Sequence, residues 1–160
     1  MAARTGLEVE VSHRWPLRRR IDLMPQPEWR DQPLSGELLA AADEHLRSAG
    51  LAGGLEELGP YALRLAAQHG LPHVRVTSNA RHIDLRLTGK GELAAWLRKE
   101  LLAPERISPN DVLIVGFQFG SLAGLPGDDD ALRPPLRGAT AVSVGPEPTG
   151  VPESVLPLDG

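Results

Sequence analysis

The sequence predicts an α/β chain, an open α+β layer followed by part of a doubly wound sheet, on three observations. The runs Leu7–Glu8–Val9–Glu10–Val11, His73–Ser78 and His82–Leu87 alternate apolar with polar residues, the period-2 pattern of strands with one buried face. Asp111–Gly116 (D-V-L-I-V-G) is instead a continuous apolar run ending in glycine, the mark of a strand buried on both faces. Helical spacing separates these strands, and helices alternating with buried strands suggest a parallel sheet. The character of the chain changes near residue 88.

Each element has a local reason. A first strand is expected over Leu7–His13 and a second over Arg18–Met24, with Ile21 and Leu23 on one face. Pro25, Pro27 and Pro33 then make a linker, since proline donates no ladder hydrogen bond. Ser35 is placed to cap a helix whose inner face is Leu38, Leu39, Ala42, Leu46 and Ala49, and Gly50 ends it. A second helix is expected over Leu58–His69 with Pro60 in its first turn, where a missing N–H costs little. Ser78, Asn79 and Ala80 supply a tight connection between the paired strands His73–Ser78 and His82–Leu87. A helix from Gly91 to Leu102 would turn Leu93, Ala94, Leu97 and Leu101 inward, and Ala139–Val144 would be a second buried strand.

Composition narrows the function classes. Hydrophobic residues are 41% of the 160, enough for a core, but aromatics are only 4%, so aliphatic side chains must fill it. The formal net charge of -4 argues against a dedicated nucleic-acid binder. Cysteine is absent, which removes disulfides and thiolate metal sites. No run approaches the roughly 20 apolar residues that span a bilayer, and no signal-like segment stands at the N-terminus, so a cytoplasmic protein without membrane contact is expected. There is no Gly-x-Ser-x-Gly elbow and no Gly-x-x-x-x-Gly-Lys loop.

Two linked pieces carry the sharpest chemistry. Thr88-Gly89-Lys90-Gly91 follows a strand and opens a helix, which suits a lysine to an anion. Val112–Gly116 is followed by a loop holding Asp128, Asp129 and Asp130, carboxylates suited to a hard cation such as magnesium. Phosphoryl transfer needs both kinds of group. Plainer readings stand beside these: a solvated lysine, a solvated acidic loop, and arginines at 14, 18, 19 and 20 that flank a strand and reach water. Trp15 and Trp29 would stack on a sugar or simply cover a small lobe, and His82 with Asp84 would form a surface pair.

The stretch Thr77–Leu97, T-S-N-A-R-H-I-D-L-R-L-T-G-K-G-E-L-A-A-W-L, resembles the end of the cap and the return into the core in haloacid-dehalogenase-type (HAD) phosphohydrolases with a large α/β cap. Asp111–Leu132 resembles that family's fourth motif, and Arg137–Leu158 resembles the late core of certain bacterial members. The resemblance implies a cap-like α+β lobe over residues 1–87 and the C-terminal half of a HAD/Rossmann-like core over 88–160. It implies Lys90 as the catalytic lysine on the transferring phosphoryl group, and Asp129 with Asp130 as magnesium ligands. Arg18, Arg20 and Asn79 would face the substrate, a small phosphoester such as a sugar phosphate.

The chain also departs from the family pattern. Phe117 stands where the motif has a magnesium-binding Asp, and phenylalanine cannot ligate a hard cation. No Asp-x-Asp precedes the cap-like region, and Asp22 and Asp31 lie outside any such context. Without that nucleophile there is no aspartyl-phosphate intermediate. The expectation is therefore a truncated phosphohydrolase, inactive alone. The alternative is a non-catalytic module that oligomerises or docks on a partner protein and binds a phosphorylated ligand near Lys90.

Overall fold

A computed structural model describes residues 6, 9–11, 18–23, 26–29, 32, 35–79 and 81–158, with 9–11 and 79 described by their backbone. Arg14, Trp15, Asp31 and the ends of the strand expected over Leu7–His13 lie outside the described residues. The chain divides into two compact units, Met1–Leu87 with Leu122–Leu125, and Thr88–Ser121 with Pro126–Gly160. Helices and two small sheets give mixed α and β content. Among the described residues no helix is long and apolar enough to cross a membrane.

The first unit holds strands β1 (Val9–Val11), β2 (Arg18–Asp22), β3 (Arg75–Asn79) and β4 (His82–Arg86), all antiparallel in the order β1-β2-β4-β3. Because side chains alternate along a strand, Ile21, Ile83 and Val76 share one face. They are buried in one core with Leu38, Leu39 and Leu46 of helix α1 (Gly36–Ser48) and Leu55, Leu58 and Ala62 of helix α2 (Gly54–Gln68). Ser35 caps α1: its backbone is extended and its Oγ accepts from the Leu38 N–H at 3.3 Å.

Helix α2 begins a turn earlier than the spacing predicts, so Pro60 lies in its interior. The earlier start follows from donors that find acceptors. The Leu55 N–H donates to Asp43 Oδ1 at 2.6 Å, and the Gly53 N–H to Glu57 Oε2 at 2.8 Å. The Arg47 hydrogen bond and the Leu55 amide together hold the Asp43 carboxyl below its ordinary value. A proline inside a helix removes one rung of the ladder. Beside Pro60 the chain returns from far downstream: the Gly59 N–H donates to Ala123 O at 3.0 Å. The turn Leu122–Leu125 closes on itself through paired backbone bonds of 2.9 and 3.1 Å. Leu122, Ala123 and Leu125 are all buried in the core of this unit. Glycine at 59 is what lets the turn approach: a Cβ there would lie 2.6 Å from Ala123 O and would also collide with Leu125.

The second unit holds helix α3 (Lys90–Leu97), which runs on through a π-helical turn at Arg98–Leu102, and a parallel sheet in the order β5 (Leu113–Gly116), β6 (Thr140–Ser143), β7 (Val155–Pro157). Ala94, Ile114, Phe119, Leu136, Ala141 and Val155 form its core. Two expectations are corrected here. The run Asp111–Gly116 is not buried on both faces: Leu113 is 60% and Val115 54% exposed, while Ile114 and Gly116 are buried. The core packs on one face of this sheet, so an apolar run appears with a half-buried strand's alternation. Leu93 and Leu101 are exposed rather than turned inward, because α3 packs through Ala94 and the wider π turn breaks the 3.6-residue phase beyond Leu97.

Gly59→Ala forces a methyl group into occupied space and is expected to destabilise the first unit by about 1–3 kcal/mol, seen as a lower urea midpoint. An unchanged midpoint would mean that the Leu122–Leu125 turn does not pack on α2 as described.

Candidate functional site

Lys90 occupies the first turn of α3 for local reasons. Gly89 is extended, and its N–H donates to Glu92 Oε2 at 2.9 Å, which ties the start of the helix to its own first turn. On β5 the strand ends in Gly116, and the missing side chain leaves room for a carboxylate: a Cβ there would meet Asp129 Oδ2 at 2.6 Å. Asp129 lies in that space. Its Oδ2 accepts from the Phe117 N–H at 3.0 Å and the Gln118 N–H at 3.1 Å, while its own N–H donates to Gln118 O at 3.0 Å. Its Oδ1 accepts from Lys90 Nζ. Asp128 Oδ2 lies 3.2 Å from the same ammonium. Both aspartates are buried, and Lys90 is partly so.

Burial alone would push the Lys90 ammonium down. The Asp129 hydrogen bond and the Asp128 charge outweigh it, and the lysine is held above its ordinary value. Two carboxylates thus share one ammonium. Asp130 is elsewhere: it pairs with Arg133, whose guanidinium also donates to Ser154 Oγ. Of the acidic run, then, Asp128 and not Asp130 joins Asp129 on Lys90.

A magnesium ion fits this donor set poorly as it stands. Both oxygens of Asp129 already accept hydrogen bonds, and the Lys90 ammonium occupies the place between the two acids that a cation would take. Phe117, whose N–H meets Asp129, keeps its side chain largely outside the core. Phe117 is 54% exposed, and Phe119 is the buried one of the two.

Sequence reasoning missed Glu147. Its carboxylate accepts from the Phe119 N–H at 2.8 Å, the Gly120 N–H at 2.9 Å and Ser143 Oγ at 2.8 Å, pinning the loop after β5 to the end of β6. Ser143 four residues upstream was the only hint in the sequence, and it is a weak one.

The first unit holds a separate cluster. The antiparallel register puts Arg18 and Arg20 of β2 on the same face as Asp84 and Arg86 of β4, opposite the apolar face. Asp84 is 0% exposed, not half of a surface pair with His82. Arg18 grips it with both ends of its fork, at 2.9 and 2.5 Å. Arg20 adds contacts at 3.1 and 3.4 Å, and Arg86 one at 2.9 Å. Arg18 and Arg20 thus reach a buried carboxylate of their own chain before water or any substrate. Burial pushes the Asp84 carboxyl up, but hydrogen bonds from Arg18 and Arg20 and the charge of Arg86 win, and it is held far below the usual carboxylate range. Asn79 sits at the end of β3 opposite His82 in the register, and its side chain lies outside what the structure describes.

Comparison of the chain with protein-family models, with curated proteins and with solved structures finds no match.

Asp84→Asn leaves three guanidiniums around a neutral amide and is expected to cost about 3 kcal/mol, the lower end for a broken buried pair because the arginines keep 20–26% exposure. The stability that Asp84 supplies is complete above its ordinary value of 3.8 and is lost as pH falls through its lower folded value. Urea denaturation of the wild type should therefore weaken with acid below about pH 4, and the Asn variant should lack that component. Equal stability of the two proteins at pH 7 would contradict the assignment.

Proposed function

We propose that this chain is a non-hydrolysing module of HAD type, a phosphohydrolase by descent whose characteristic lysine is spent on holding the fold. The ancestral substrate class would be small phosphoesters such as sugar phosphates. One observation carries the reading: Lys90, at the start of a helix, meets Asp128 and Asp129 beyond the C-terminal end of the parallel strand β5. Lysine and acids at that edge of a parallel sheet are the parts that phosphoryl chemistry uses. The same contacts argue against turnover. The lysine is already paired with two carboxylates, which compete with a phosphate for it. Of the acidic run, Asp128 and Asp129 are held by the lysine and Asp130 by Arg133.

The expected result is no magnesium-dependent hydrolysis of an aryl phosphate above background by the folded chain, and no difference between wild type and Lys90→Ala in that assay. Lys90→Ala should instead lower stability, because it leaves Asp128 and Asp129 buried without their cation. Hydrolysis that Lys90→Ala abolishes would overturn the proposal, since it would require a nucleophile and an available lysine in this chain.

A further inference from the structure

The parallel sheet of the second unit has two unlike faces. The row Ile114–Ala141–Val155 crosses all three strands on the core face, and each of its members is buried. One residue on, the row Val115–Val142–Leu156 crosses the sheet on the opposite face. The Val144 N–H donates to Gly116 O and the Leu158 N–H to Ser143 O, both at 2.8 Å. The ladder therefore continues, and Val144 and Leu158 carry the outer face one row further, beside Phe117. On this side Leu113, Val115, Phe117, Val144, Leu156 and Leu158 are each 48–65% exposed. A parallel sheet is almost always covered on both faces. Among the described residues only the inner face has a cover.

We infer that a second copy of this chain covers the outer face, sheet against sheet, about a two-fold axis. Two features point to the chain's own copy. The first is area. The six side chains leave roughly 600 Å² of apolar surface open, the upper end of what a monomer carries in one patch. That is close to the roughly 800 Å² that each partner contributes to a stable interface, and the rim supplies the rest. The second is charge. Leu113, Thr140 and the two rows that follow them hold no ionisable side chain. In a two-fold contact each residue near the axis meets its own counterpart, so a charge there would face a like charge. A face free of charge over three strands meets that condition, and it offers a charged peptide or a nucleic acid nothing to pair with. Sheets stack about 10 Å apart with their inner side chains interdigitated, which the open Leu and Val rows allow. The contact is independent of what Lys90 does.

The test is sedimentation equilibrium of the full chain over a range of micromolar concentrations. The mass is expected to rise from 17.2 kDa toward twice that value. The urea midpoint should rise with protein concentration, as dimerisation linked to folding requires. Val115→Lys and Leu156→Lys each place a charge on the face at a position already more than half exposed. Both should stay folded by circular dichroism and weaken the dimer at least about tenfold, and either one decides if the other fails to fold. Trp96→Lys changes an equally exposed apolar residue, 58% open on α3, and should dimerise as wild type does. A dimer that both face variants leave intact overturns the inference, and so does equal weakening by Trp96→Lys. A monomer at every concentration also overturns it. If that monomer binds an apolar dye that Val115→Lys releases, the face belongs to a different partner.

Discussion

The Asp129 carboxylate is the interaction on which the second unit depends. One oxygen collects the two amides that follow β5, and the other collects the ammonium that opens α3. A carboxylate taken out of water must be repaid by hydrogen bonds and opposite charge. Here the repayment links three segments that are distant in sequence: the helix start, the strand end and the loop itself. Gly116 is required for the same reason, since a side chain there would occupy the carboxylate's place. The Gly-rich, Pro-rich chain after β5 is thus tied down by acids: Asp129 at its first residues and Glu147 just beyond.

The first unit uses the same physics with the signs reversed. Asp84 is a single buried anion surrounded by cations, and its carboxylate sits on the polar face of a sheet whose other face is the core. Where the second unit spends one lysine on two acids, the first spends one acid on three arginines.

Much of this was legible in the sequence, where one local rule decides. Ser35 reads as a cap and is one; Ile21 and Leu23 read as one buried face and are buried; the run Asp111–Gly116 reads as a strand of a parallel sheet, and its residues Leu113–Gly116 pair in parallel with β6. The misreadings occur where a distant residue decides. Pro60 was placed in a first turn because nothing near it shows that Asp43 extends α2 backward, or that Ala123 meets the Gly59 amide. Leu113 and Val115 read as buried because their chemistry is apolar, whereas exposure depends on what packs against each face. Asp84 read as a surface residue because the three arginines that bury it are known only from the strand register. In the acidic run, three adjacent identical residues cannot be told apart by type; Arg133, three residues on, takes Asp130 and leaves Asp128 for Lys90.

The central claim is that Lys90 is an internal counter-ion and not a free phosphate ligand. The most direct measurement is an NMR titration of the Lys90 side chain, repeated with magnesium and inorganic phosphate present. The account predicts that Lys90 titrates above its ordinary 10.5 and that its resonance holds its position when both are added. Titration at or below that value, or a shift of the resonance on adding magnesium and phosphate together, would show a lysine released from Asp128 and Asp129 to meet a ligand, and would contradict the account.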